Sequence, residues 1–287
     1  MKEYAEQRVA RPDRWEGDED GREAFAAARE AGAWPWDQWS ADDVRVSVAV
    51  MHAPWDDRRK ATVDAQRRAI EGVPGVTSFS VVEADPEQSI WHTAHRAWRA
   101  ALATGSTHHL VLQDDIGLST NFVQGLRRVL AVTPTRPVGL FCVLKRVDEV
   151  RDAGWSFLPV RGGGWGAALV LPRPDVSVFL EWAAKHVHPN NPHDDVRFNA
   201  WASYHRHVYT WCTVPSLVEH MAPTDSLVGN NPPIDRTARW FPGHDFDART
   251  VDWELPPPGE AIVQRSKDLW CDYHPTIGGI EKGMLVD

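Results

Sequence analysis

Three apolar runs separated by two helical stretches fix most of what this chain can become. The runs are VRVSVAVM (44–51), VTSFSVVEAD (76–85) and HHLVLQDD (108–115). The first is nearly continuous in apolar residues, as a strand buried on both faces of a parallel sheet must be. Between the runs lie RRKATVDAQRRAIEGV (58–73) and SIWHTAHRAWRAALATG (89–105). Ala61, Ala65, Ala69 and Ile70 recur at helical spacing in the first. Pro74-Gly75 closes that helix, and Gly105 is a candidate C-cap for the second. The order β-α-β-α-β predicts an open α/β sheet, which binds ligands outside the carboxyl ends of its strands. His52, Asp85 and the adjacent Asp114 and Asp115 stand at such ends and are expected to converge on one crevice.

Further along, NFVQGLRRVLAV (121–132) reads as a helix and PVGLFCVL (137–144) as a strand. A glycine-rich turn, GGGWG (162–166), leads into the strand AALVLP and another helix. DVRFNAWASYHR (195–206) is helical, and VYTWCTVPSLVEHMA is a strand, a break at Pro215 and an exit through Glu219-His220. The flanks differ in character. Residues 1–40 mix charged stretches with the Ala-rich EAFAAAREAGAW and form an N-terminal helical arm; 41–230 form the main domain. Residues 231–287, with NNPPIDR and ELPPPGE, form a Pro-rich, extended C-terminal tail. No internal repeat is present.

Composition narrows the partners. A formal net charge of −9 argues against bulk electrostatic binding to nucleic acid or anionic membrane. No apolar run of about 18 residues predicts a membrane span. The charged start MKEYAEQRVARPDRW is not a secretory signal, and Cys142, Cys212 and Cys271 are widely spaced without a CxxC, so a reducing cytosolic location is expected. The 15 tryptophans against 4 tyrosines supply flat faces that stack on sugars or bases, or simply pack the core.

Familiar nucleotide and hydrolase signatures are missing. There is no GxxxxGK[ST], GxSxG or HExxH, and GGGWG precedes a strand rather than a helix. What remains is carboxylate chemistry. Asp114 and Asp115 at a strand tip make a hard-oxygen site of the kind Mg2+ or Mn2+ takes when bridging to phosphates, or else an Asx turn. If the pair serves a metal, its self-repulsion means that losing Asp115 should not cost stability. In PHDDVRFNAW, Asp194 suits an N-cap. The other acid would then project into the crevice as a general base or substrate contact. His220 is a surface residue unless its strand returns to Asp115, where it would supply an imidazole ligand. Arg58 and Arg59 open the first helix and Arg96 lies on the second; an anionic substrate would need such partners.

In this order the segments VSVAVMHAP, HHLVLQDDIGLSTNF, GGGWGAALVLPR, HDDVRFNAW and VPSLVEHMAPTDSLVG resemble GT-A-fold glycosyltransferases. The likeness is to members with an acidic (E/D/Q)-D-D in place of a strict DxD, here Gln113-Asp114-Asp115, and the pattern looks like that of compact bacteriophage enzymes, which would act in the cytoplasm of the host cell. The resemblance implies a Rossmann-like mixed sheet flanked by helices and a transferase that moves a sugar from a nucleoside-diphosphate sugar to a hydroxyl acceptor. His52, Ala53, Pro54 and Asp85 would border the nucleoside, with Arg96 and Gln113 also on the donor. Asp115 would hold Mn2+ or Mg2+ against the diphosphate, with Asp114 at the metal or the ribose and His220 completing the metal shell. Gly164, Trp165 and Gly166 would shape the sugar and acceptor pocket, and Asp194 or Asp195 would be the base or clamp a sugar hydroxyl. The acceptor stays open among a glycan, a protein and a hydroxymethylated base in DNA; a non-catalytic carbohydrate- or nucleotide-binding module is the competing reading.

Overall fold

The computed structural model describes residues 39–161, 164–188, 191–206, 208–221, 236–256 and 261–263. The expected N-terminal arm, apart from Trp39 and Ser40, lies outside them, as do Gly162, Gly163, His207 and Cys271.

Strand β1 (Val46–His52) is buried along its whole length because it has parallel neighbours on both sides, β2 (Val76–Glu83) and β3 (His108–Gln113). Its side chains alternate between two cores. Val46, Val48 and Val50 face one, Ala49 and Met51 the other. Helices α1 (Asp57–Ile70) and α3 (Phe122–Val132) cover the first face; α2 (Ile90–Arg99), α5 (Arg173–His186) and α6 (Asp194–Ala200) cover the second. Beyond β3 the sheet turns mixed. Among the described residues it runs over seven strands in the order β2-β1-β3-β7-β5-β8-β6, with β7 (Ala168–Pro172) antiparallel to β3. The remaining members are β5 (Val138–Gly139), β6 (Phe157–Val160) and β8 (Thr210–Thr213); α4 (Arg146–Asp152) lies between β5 and β6 in the chain. A separate two-stranded ladder joins β4 (Ile116–Leu118) to β9 (Val218–His220).

Several expectations are corrected here. The helical period of α1 holds, but its face does not: Ala61, Ala65 and Ala69 are exposed, and Arg59, Val63, Gln66 and Ile70 are buried. Alanine was a poor guide because two polar side chains face inward to satisfy groups at the tip of β3. Gly105 does not cap α2, which ends in a 3-10 turn at Ala100–Ala103; left-handed glycines follow α1 at Gly72 and α4 at Gly154 instead. The strand expected over 137–144 shrinks to Val138–Gly139, while β6 arises within SFLPV, where no element was expected. The helix expected at 195–206 starts one residue earlier and loosens into a π-helical turn at Trp201–Arg206.

Residues 236–256 pack onto the domain. Ala238, Ala248 and Trp253 are buried in the same core as β1 and α3. Ala248 lies against Gly125 of α3, where a Cβ would come within 2.4 Å of the alanine methyl. No helix among the described residues is long and apolar enough to cross a membrane.

Candidate functional site

Parallel pairing puts the carboxyl ends of β1 and β3 side by side, with Met51 level with Gln113. His52 and Ala53 therefore flank Asp114. His52 Nδ1 donates to Asp114 Oδ2 at 3.0 Å and the Ala53 N–H donates to the same oxygen at 2.6 Å. Arg59, one turn into α1, donates to Asp114 Oδ1 and, at 3.2 Å, to Asp115 Oδ2. Arg236 donates to Asp115 Oδ2 at 2.6 Å. The repulsion between two buried carboxylates is thus met by two guanidiniums. Gln66, on the same buried face of α1 as Arg59, donates to the carbonyls of Gln113 (2.9 Å) and Ile116 (2.7 Å), which pins the turn between β3 and β4.

Both Asp114 oxygens are spent on protein donors, whereas Asp115 Oδ1 is buried without a hydrogen-bond partner. The β4–β9 ladder sets Ile116 opposite His220, and the Met221 N–H donates to the Asp115 carbonyl at 2.8 Å. His220 thereby comes back to Asp115. Its Nδ1 is also buried without a partner. Burial lowers the His220 pKa to about 4, against the opposing pull of the Asp115 charge, so the ring is neutral at pH 7. The Phe141 ring stands at 4.9 Å from the His220 ring and 6.5 Å from that of Trp165. Among the described residues, no three His, Cys, Asp or Glu side chains are grouped to hold a metal. Of the expected trio, Asp114 has both oxygens taken by Arg59, His52 and the Ala53 N–H, while Asp115 and His220 each keep one buried atom without a hydrogen-bond partner.

On the other wall, antiparallel β7 brings Gly166 up to Gln113, whose N–H donates to the Ala167 carbonyl at 3.0 Å. A Cβ on Gly166 would lie 3.1 Å from Gln113 Nε2 and 3.2 Å from Asp194 Oδ1. Only a glycine fits without displacing one of them. Gly164 is held by Asn199, which donates from Nδ2 to its carbonyl at 3.0 Å. The start of α6 is thus docked against the tip of β3. Asp194 is not the N-cap: His193 holds that position without a side-chain cap, and Asp194 and Asp195 are the first two helical residues. Burial, and then repulsion from Asp195, raise the Asp194 pKa to about 7. Burial also raises Asp195, while His193 and the N–H groups of Val196 and Gly166 pull it down.

Three expected site residues stand apart from this cluster. Asp85 is exposed after β2, and its carboxylate accepts the Glu87 N–H at 2.9 Å. Arg96 is exposed on α2 and donates to the Glu83 carbonyl at 3.1 Å. Pro54 is exposed in the loop to α1. Conversely, sequence reasoning passed over Gln66, Phe141 and Arg236. Gln66 could have been found as a polar residue in register with Val63 and Ile70; Arg236 carried no signal, since nothing in the Pro-rich stretch around it sets it apart from Arg239.

No family model matches the chain, and no curated protein matches it. Among solved structures, mannosyltransferase PcManGT from Pyrobaculum calidifontis, in complex with GDP-Man and Mn2+, aligns over 67% of this chain and 61% of its own at 13% identity, with a TM-score of 0.40. A glycosyltransferase involved in the glycosylation of the major capsid of PBCV-1 aligns over 63% of this chain and 94% of its own at 9% identity, with a TM-score of 0.35. The chain spans about three fifths of the length of the mannosyltransferase. Likenesses of that degree carry no argument about donor, acceptor or metal.

Proposed function

We propose that the protein is a glycosyltransferase of the GT-A kind, moving a sugar from a nucleoside-diphosphate donor to a hydroxyl acceptor with the help of Mn2+ or Mg2+. The observation that carries this reading is the pair of orphaned buried atoms, Asp115 Oδ1 just before β4 and His220 Nδ1 at the facing end of β9. A carboxylate oxygen and a neutral imidazole fit a divalent cation that completes its shell with phosphate oxygens and water. Bound there, the cation would neutralise the charge that develops on the leaving diphosphate.

The chain's own residues supply the rest. Arg59 and Gln66 fix the tip of β3, so the backbone that carries Asp115 is held in place. Gly166 lets the Gln113 amide and the Asp194 carboxylate close in over its backbone, which sets the spacing between the tip of β3 and the start of α6. Asp195, half-buried at the mouth of α6, is the base. Its charge helps keep the proton on Asp194, whose pKa of about 7 reflects that repulsion after burial. The acceptor oxygen attacks the anomeric carbon, the bond from that carbon to the phosphate oxygen breaks with its electron pair leaving on the diphosphate, and the acceptor proton passes to Asp195. One direct displacement inverts the anomeric centre.

The test is a melting screen of the full chain against UDP, GDP, CDP, dTDP and ADP, each with and without Mn2+. One nucleotide at about 100 times its Kd should add about 2.7 kcal/mol, and only with the metal. Silence for all five in both conditions would sink the transferase reading in favour of a binding module.

A further inference from the structure

We propose that Arg236 and a divalent cation are alternative partners of Asp115, so that Arg236 holds this carboxylate until the cation arrives and then turns to the donor's diphosphate. The inference rests on the reading of Asp115 and His220 as the cation site.

The two arginines on Asp115 are held very differently. Arg59 is shared among three carboxylates, with Asp56 at 3.7 Å and Asp115 at 3.2 Å in addition to Asp114, and its side chain is 5% exposed. It cannot leave without stripping the whole tip. Arg236 pairs with Asp115, and its side chain is 15% exposed. Its backbone is nonetheless fixed: the Ala238 N–H donates to Glu219 Oε2 at 3.0 Å and Oε1 at 3.2 Å, and the Arg239 N–H donates to the Cys142 carbonyl at 2.7 Å. Glu219 immediately precedes His220 in β9. The root of Arg236 is therefore anchored to the strand that carries the second cation ligand, while its tip lies on the first.

Charge makes the two partners compete. Asp56, Asp114 and Asp115 balance Arg58, Arg59 and Arg236, so the cluster is neutral as it stands. A cation on Asp115 adds two positive charges within a few ångströms of Arg236, in surroundings too buried for water to screen them. A diphosphate arriving with the cation restores the balance. It also offers oxygens that a guanidinium grips with two parallel N–H groups. Cation alone should therefore bind poorly, and cation with nucleoside diphosphate well.

The experiment measures Mn2+ binding to the full-length protein by electron paramagnetic resonance, alone and with the nucleoside diphosphate that the melting screen selects. Arg236→Gln should bind Mn2+ alone about tenfold more tightly than the wild type, and the nucleotide in the presence of Mn2+ about tenfold more weakly. Arg236→Lys, which keeps the charge and loses the fork, should fall between on both counts and covers the case where the glutamine variant does not fold. Unchanged or weaker Mn2+ binding by Arg236→Gln, beside a wild type that binds both ligands, overturns the inference and leaves the transferase reading standing. A wild type that binds neither Mn2+ nor any of the five diphosphates removes the cation site itself, and the inference falls with it.

Discussion

Two pairs of consecutive aspartates stand near Gly166, one after Gln113 at the tip of β3 and one at the start of α6, and the protein treats them in opposite ways. Asp114 and Asp115 at the tip of β3 are met by Arg59, Arg236, His52 and the Ala53 N–H. Asp194 and Asp195 at the start of α6 receive backbone N–H groups, and the Arg197 charge weighs on Asp194 less than burial and the neighbouring Asp195 do. The same dipeptide thus becomes a neutralised structural corner in one place and a proton-holding pair in the other. What separates them is not the acids but which cations the fold brings within reach. A pair with its charge cancelled suits holding something; a pair with its charge only partly cancelled suits moving a proton.

The sharpest way to break the comparison is Asp114→Ala. It strips a partner from Arg59, His52 and the Ala53 N–H together, and removing one side of such a buried set costs about 3–5 kcal/mol. Chemical denaturation should show that loss; a variant as stable as the wild type would mean the corner is not structural. The same logic revises the expectation for Asp115. Its removal leaves Arg59 and Arg236 under-compensated, so it should cost stability as well as turnover, where the sequence suggested no cost.

On the other wall, Asp195→Asn should reduce sugar transfer by about 10²–10⁴-fold with the fold intact. Asp194→Asn should reduce it less, since Asp194 only shapes its neighbour's charge. Equal and mild losses in both, read in a transfer assay, would remove the base from α6.

Stability against pH sharpens the contrast further. The Asp194 pKa is raised, from 3.8 to about 7, so the native state holds a proton that the unfolded chain releases. Stability from this group is full below pH 3.8 and is lost as pH rises through 7. His108 and His109 do the reverse. Buried at the foot of β3, with ring nitrogens bonded to the Pro134 and Ala97 carbonyls, they are lowered by that burial from 6.5 to about 4. Their contribution is full above 6.5 and is lost as pH falls toward 4. In the wild type the two slopes oppose each other. Asp194→Asn removes the acid slope, so the variant should gain roughly 2–4 kcal/mol on the wild type at pH 8 and nothing at pH 4. A constant offset across that range would mean Asp194 titrates normally.

The smallest expected effect is Gly166→Ala. The new methyl would press on the Gln113 amide and on Asp194, tighter than an ordinary contact at both. About 1 kcal/mol of strain is expected, with transfer reduced more than the melting temperature suggests. An alanine variant with full transfer would show that the two walls do not need their present spacing.

How far these walls could be read from the residues depends on the range of the interactions. The β-α-β-α-β order, the buried β1 and the tip at Asp114 were legible because local apolar patterning fixes them. So was β7, the apolar run that follows the glycines. The buried face of α1 was not: Arg59 and Gln66 displace alanines because carbonyls and carboxylates on β3, about fifty residues on, need donors. Nor was the cap of α6, since Asp194 is turned from the cap position toward Gly166.

Strand and helix periods are local, so an α/β chain with His52, Asp85 and the Asp114-Asp115 pair after its first three strands could be read from the residues alone. Which charges meet there is settled by the folded chain. Arg236 lies 121 residues from Asp115, and His220 returns through a ladder that no periodicity announces. Coulomb energy depends on distance in space and on burial, and neither is written along the chain.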